Sequence, residues 1–435
     1  MKLTSTFAAL CVLATSSLVS AGPLLTRKVV VMNDSAKQNA NFSQGAVYFI
    51  TNEPSGNFVV SADIKQDGTL NLARAITTNG RGQHGDDGGV NGPDGLFSQG
   101  AVKASASGKV LAAVNPGSNT VSLFKINADN PSELTHFGTP VSSEGEFPMS
   151  LAFNSKGDQL CVLNGGQING VSCYKIDSNL GLVAQNNTVR QLNLNQTTPA
   201  NGPAGSASHI IFTEDGKNLV AAIKGNPGPP ANPGFLAVWQ VQTDGTLSEF
   251  FKKVEPSSGG LLPFGMSIIP GKNAILATDA ALGADVFDFG QQPQADSSSG
   301  GNNSNAKGTS TLKIDGQGAT CWATFSKQSG NFYVTDIKTS TVTEINVNDQ
   351  LNATIVKQYP LKNDSATIDL DAASVNGKDF LYVLQPNSTS IQVLSVNAPG
   401  KASELQNIDI AGPASAAKLT ISKANLQGMT TFVKA

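Results

Sequence analysis

The sequence predicts an all-β protein, a seven-bladed β-propeller whose four-stranded antiparallel blades surround a central channel. Three observations predict it. One unit of propeller-blade length recurs along the chain. Runs with a helical period are scarce, while 44 glycines and 21 prolines supply turns for many short strands. The unit carries strand patterns on both sides of its glycine-containing turns, and such a unit needs neighbours to bury both its faces.

The copies can be read off in order. They are "GAVYFITNEPSGNFVVSADI", "GAVKASASGKVLAAVNPGSNTVSLFKI", "PMSLAFNSKGDQLCVLNGGQINGVSCYKI" and "ASHIIFTEDGKNLVAAIKGNPGPPANPGFLAVWQV". The series continues with "PFGMSIIPGKNAILATDAALGADVFDF", "CWATFSKQSGNFYVTDIKTSTVTEINV" and "LDAASVNGKDFLYVLQPNSTSIQVLSV". Setting Phe58, Val110, Leu160, Leu219, Ile275, Phe332 and Phe380 as equivalent gives a spacing of 48 to 59 residues. Closing seven such units into a ring hides the edges an open array would expose. "RKVVVMN" near the start and "MTTFVKA" at the end are the segments expected to share the closing blade. The proline-rich Lys224–Gly234 falls inside the fourth blade, and the low-complexity 291–311 inside the fifth. No linker between independent domains is evident, so 22–435 is read as one domain.

The first 21 residues read as a secretory signal peptide: Lys2, an apolar stretch from Phe7 to Val19, and small residues before Gly22. No later apolar run is long enough to span a bilayer. Export agrees with eight Asn-X-Ser/Thr triplets, at Asn33, Asn41, Asn186, Asn195, Asn302, Asn352, Asn363 and Asn387, as expected glycosylation sites in a eukaryotic host. The alternative for each is an ordinary turn asparagine. The expected location is extracellular or cell-wall associated. Cys161 and Cys173 would face each other across a hairpin, and in an oxidising compartment a disulfide there is worth up to about 3 kcal/mol. Cys321 is then left as a small buried hydrophobe.

Charge excludes one class of partner. With 14% charged residues and a formal net charge of -3, the chain lacks the basic surface of a nucleic-acid binder. Three histidines without local ligand spacing argue against zinc. Asp86, Asp87, Asp94, Asp369 and Asp371 could meet at a mouth, but no loop has the alternating oxygen ligands of a calcium site. No metal or cofactor is expected.

Two places carry candidate chemistry. His209, in "SASHIIF", is the one histidine on an innermost strand, aligned with Ser150, Met266 and Trp322 of other blades. It reads as a general acid or base or a ligand anchor, or as a polar residue satisfied within its strand. The second place is Thr77–Val102, which holds Arg81, His84, Asp86, Asp87 and Asp94 among eight glycines. It fails the spacing of dinucleotide and phosphate loops. It reads as a glycine-rich flap over the channel mouth or as a connector with solvated charges. Arg81 is the cation best placed for a carboxylate; Lys224 reads as a surface lysine and Arg190 as an outer-strand residue. Trp322, Asp369 and Asp371 complete the ligand-binding candidates.

"GPDGLFSQGAVKASASGKVLAAVNPGSNTVSLFKI" and "SHIIFTEDGKNLVAAIKG" resemble the secreted fungal 3-carboxymuconate cyclase-like proteins of the lactonase seven-bladed propeller superfamily. The resemblance implies the propeller fold. For activity it implies closing or opening of a lactone of a carboxylated muconate or sugar acid. The family's His-X-His pattern is met by Ala207-Ser208-His209, so His209 alone carries over. No counterpart of the family's catalytic Arg and Glu is found, and Glu214 falls in a turn. Some secreted members are implied to be surface glycoproteins, adhesins or allergens. Two functions follow as expectations. The leading one is an extracellular binding or adhesion protein with a matrix, host or cell-wall ligand. The other is an exported lactonase or carboxymuconate cycloisomerase acting on a small carboxylate or lactone.

Overall fold

A computed structural model describes residues 29–32, 43–290 and 308–434. The signal segment, Asn33, Asn41, Asn302 and most of 291–311 lie outside the described residues. The described strands form seven antiparallel sheets. Each innermost strand contacts the next, and the seventh contacts the first, which closes the ring. From the second blade onward these strands are Val102–Ser105, Pro148–Phe153, Ala207–Phe212, Pro263–Ile269, Thr320–Ser326 and Leu370–Val375. The first blade takes its innermost strand, Gln427–Val433, from the end of the chain.

That closure explains the one slip in the repeat register. Gly45–Ile50 is the second strand of its blade, because Gln427–Val433 pairs along its inner edge. Phe58 therefore starts a third strand, Phe58–Ile64, whereas Val110 and its equivalents lie on second strands. The two chain ends do share the closing sheet: Val29–Val31 pairs outside Leu70–Thr77 at the opposite edge.

Burial on both faces of the inner strands follows from their composition. The second strands Val110–Asn115, Gln159–Asn164 and Ala274–Asp279 are buried throughout. Trp239, Trp322, Tyr48 and Phe147 fill the wedge-shaped gaps between blades. Polar caps repeat at the blade junctions. Asp336, at the end of a second strand, accepts Gly318 N–H at 2.6 Å and Ala319 N–H at 3.1 Å from the incoming inter-blade loop. Asp279 does the same one blade earlier with Leu261 and Leu262. These carboxylates satisfy backbone donors that would otherwise be orphaned in a buried turn.

The cysteines pair as their register requires. Cys161 and Cys173 oppose each other across adjacent strands of the third blade and form the disulfide. Cys321 is free and buried. The five described sequon asparagines, Asn186, Asn195, Asn352, Asn363 and Asn387, are exposed. No helix among the described residues is long and apolar enough to cross a membrane.

Candidate functional site at the propeller axis

The glycine-rich segment 78–101 links the first blade to the innermost strand of the second. Its two halves do different things. The first half folds on itself at the surface. His84 has Gly85 O at 2.7 Å from Nδ1 and Gly92 O at 2.8 Å from Nε2, so its own loop occupies both ring nitrogens. Asp87 accepts N–H bonds from Asn91 and Gly92, and Asp86 accepts one from Gly88. Arg81 lies against the turn of the second blade, where its N–H donates to Ser118 Oγ and its guanidinium reaches Gly117 O. These residues do not converge with His209.

The second half enters the channel. Leu96, Phe97, Ser98, Gln99, Gly100 and Ala101 are all buried, and their polar groups are held by six of the seven blades, the second through Val114 N–H donating to Ala101 O. Ser98 Oγ donates to Met149 O at 2.8 Å. Ser98 O accepts from the Trp322 indole and from Gln427, each at 3.0 Å. Gln99 exchanges two bonds with the Ala323 backbone. Gly100 N–H donates to Asp369 Oδ2 at 3.2 Å. Phe97 O accepts from Lys224 Nζ at 2.8 Å, and the same ammonium donates to Ala207 O. The expected flap is thus an axial plug. Two non-glycine residues in it, Asp94 and Phe97, hold positive φ, strain that the surrounding bonds must offset.

Lys224 departs from its expected place at the surface. It is buried, with its chain beside the Phe264 ring at 4.6 Å. Burial pushes its ammonium down, and burial likewise pushes the Asp94 carboxyl up, each opposed by the other's charge. Trp322, a ligand-binding candidate from its strand position, has no exposed surface and serves as a plug anchor. Arg190 is on an outer strand as expected, its guanidinium spent on backbone carbonyls of Leu247 and Ser248.

Beneath the plug the innermost strands bring a second group together. His209 is buried, and Met266 N–H donates to its Nδ1 at 2.9 Å. Nδ1 is therefore an acceptor and the proton sits on Nε2, which has no partner. A β-carbon at Gly100 would lie 3.2 Å from that Nε2 and 3.1 Å from Ser150 Oγ, and Gly100 has φ +84°, so glycine is required there. Burial, then the Lys103 charge, holds the His209 imidazolium well below its ordinary range, so the ring is a neutral N–H donor.

Asp369, fully buried, is pushed up to about 7 by burial, against the pull of Lys103 and the Gly100 N–H. Asp371 lies one step further from the plug and is partly exposed. It accepts N–H and Oγ1–H bonds from Thr431 and a longer one from Thr324 Oγ1 at 3.3 Å. Burial raises its carboxyl as well. Lys103 occupies the same level of the second blade and is partly exposed. The axis thus carries two carboxylates, one ammonium and one unpartnered N–H donor. Among the described residues no three metal-ligating side chains gather; Asp86 and Asp87 stay in the surface half of the segment, while Asp94, Asp369 and Asp371 lie near enough along the axis for their charges to act on one another in turn.

Lys103 had not been singled out from the sequence. Its signal is "AVKAS", a lysine between small apolar residues on an innermost strand, at the level where "LDAAS" puts Asp371.

Comparison with known proteins agrees with the architecture. Residues 27–193, the first three blades, match the family model described as lactonase, 7-bladed beta-propeller. No curated protein sequence matches the chain. Among solved structures, the periplasmic gluconolactonase of Pseudomonas aeruginosa is 13% identical with a TM-score of 0.59, covering 90% of this chain and 99% of that one. A putative 6-phosphogluconolactonase from Bacteroides uniformis is 15% identical with a TM-score of 0.57, covering 89% and 100%. A functionally unknown protein from Desulfotomaculum acetoxidans is 12% identical with a TM-score of 0.58, covering 89% and 99%. At these identities the likeness is one of fold.

Proposed function

We propose that the chain is a lactonase, opening or closing a small lactone at the propeller axis on the side of the channel away from the plug. One observation carries this reading: Lys103 and Asp371 are partly exposed at one level of the axis, and the Lys103 charge acts on Asp371, on the buried Asp369 and on the buried, unpartnered His209 Nε2–H behind them. Donors that converge without an acceptor favour an oxygen that gains negative charge. The lactonase family match over residues 27–193 and the gluconolactonases among similar folds support the same chemistry.

The steps balance without a cofactor. Asp371, the carboxylate reached from the channel, takes a proton from water as the water oxygen attacks the lactone carbonyl. Lys103 holds the carbonyl oxygen as it becomes negative, and the His209 N–H dipole behind it adds to that field. The ring C–O bond then breaks, the ring oxygen recovers the proton from Asp371, and a hydroxy acid leaves. The reverse sequence closes the ring.

Turnover of a panel of γ- and δ-lactones by the purified chain tests this. We expect hydrolysis that falls at least a hundredfold in Asp371→Asn. No turnover across the panel, or turnover unchanged in that variant, would overturn the assignment. The adhesion reading keeps one specific support, the five exposed sequons. It leaves the polar group on the axis without a role. An inactive chain that binds matrix or cell-wall preparations would restore it.

A further inference from the structure

One level beyond Lys103 and Asp371, near the ends of the innermost strands, six blades contribute one apolar side chain each: Ala104, Phe153, Ile211, Ile268, Phe325 and Ala372. All six retain partial exposure, whereas the plug at the other end of the channel is sealed. The ring of six is uneven. Its two alanines directly follow Lys103 and Asp371 in the chain and flank the first blade, where Thr431 is partly exposed. The bulky phenylalanines and isoleucines fill the other side. These four also pack against the cores between blades, so by side-chain size the collar is most open beside Lys103 and Asp371 and apolar opposite them.

We propose that this apolar collar is the entrance to the axial site, and that the ligand is a lactone bearing an alkyl substituent rather than a polyhydroxylated ring. The proposal rests on the lactonase reading and adds a polarity to its substrate. The ester end enters on the Lys103 and Asp371 side, and the alkyl group packs on Ile211, Ile268 and Phe325. A polyol ring would leave its hydroxyls facing that wall without partners, which disfavours it. Each methylene buried against the wall is worth about 0.8 kcal/mol, or about fourfold in kcat/KM.

The experiment compares kcat/KM for unsubstituted, propyl and pentyl δ-lactones with that for glucono-δ-lactone. A rise with chain length, approaching fourfold per methylene, is the expected result. Ile268→Thr should flatten that rise, lowering kcat/KM for the pentyl lactone more than for the unsubstituted one. Ala104→Phe, which narrows the gap, should lower kcat/KM at least tenfold for every substrate; Ala104→Ser, nearly equal in size, should not. Preference for glucono-δ-lactone, or no dependence on chain length, would overturn the proposal and leave the lactonase reading standing. Full activity in Ala104→Phe would overturn the entrance. Absence of all lactone turnover would overturn the reading and the proposal together. Thermal melts of each variant separate lost folding from lost access.

Discussion

Met266 N–H donates to Nδ1 of His209 at 2.9 Å, and this one backbone bond decides what the histidine can do. It comes from the neighbouring fifth blade, so the tautomer is set by the packing of the fourth blade against the fifth. With Nδ1 occupied and the imidazolium disfavoured by burial, Nε2 offers a hydrogen to the axis across the working pH range. His209→Gln keeps a donor of similar reach, and His209→Leu removes it. The glutamine variant should retain measurable turnover, and the leucine variant should lose roughly a hundredfold in kcat with a smaller change in KM. Equal loss in both would show that the ring is needed for packing alone.

The carboxylates give the pH dependence. Burial raises Asp369 to about 7, so it carries a proton below neutrality, and repulsion from Asp371 adds to the rise. The base Asp371 is also raised by burial, so kcat/KM should climb with pH as it ionises, with an inflection at about 7 where Asp369 beside it loses its proton. Stability should move the other way. A carboxyl raised above its unfolded value contributes stability that is present below about 4 and is lost as pH rises through about 7. Across that window the loss is at most roughly 4 kcal/mol, at 1.4 kcal/mol per unit. Asp369→Asn should flatten the upper activity limb and raise the melting temperature at pH 8 relative to the parent. A variant melting in parallel with the parent from pH 4 to 8 would sink the assignment.

One buried lysine latches the start of the plug to the fourth blade. Lys224 Nζ bridges Phe97 O in the plug and Ala207 O in the fourth blade, both at 2.8 Å. Lys224→Met keeps the chain length and strands both carbonyls. Each buried unpaired acceptor costs about 1–3 kcal/mol, so the loss should be a few kcal/mol, read as a lower denaturant midpoint. Hydrogen exchange at Phe97–Gly100 should rise more than at the distant Phe380–Val383. Uniform protection across both segments would contradict a local latch.

The ring was legible because each blade repeats the same strand and turn chemistry, including aspartates such as Asp279 and Asp336 that close second strands. The Cys161–Cys173 bridge was legible from a hairpin with its turn written in glycines. The first blade slipped because its innermost strand lies at the far end of the sequence, and no local pattern announces that. Lys224 directly follows a second strand, where Asp279 closes one, yet only the plug decides that its place is interior. The plug itself was hidden by composition: "GPDGLFSQGA" has the glycines of a surface loop, while its two bulky apolar residues, Leu96 and Phe97, were the quiet sign of burial.

A second buried acid, away from the axis, supplies a stability test independent of any substrate. Asp285 is fully buried; Thr311 Oγ1 donates to its Oδ1 at 2.7 Å, and its Oδ2 has no donor. Asp279 stands beside it with both oxygens engaged by the N–H groups of Leu261, Leu262 and Ala281. Burial first, then the Asp279 charge, pushes Asp285 well above the usual carboxylate range, so the native state holds a proton on it. Because the folded value lies above the unfolded one, its stabilising share is present below about 4 and fades as pH rises through the folded value. Asp285→Asn retains an acceptor for Thr311 and a donor toward Asp279 without the titration. It should match the parent at pH 4 and exceed it in melting temperature at pH 8. If Asp285→Asn instead lowered stability equally at both pH values, the carboxyl would be ionised in the folded protein and the proton assigned to Asp285 would be wrong.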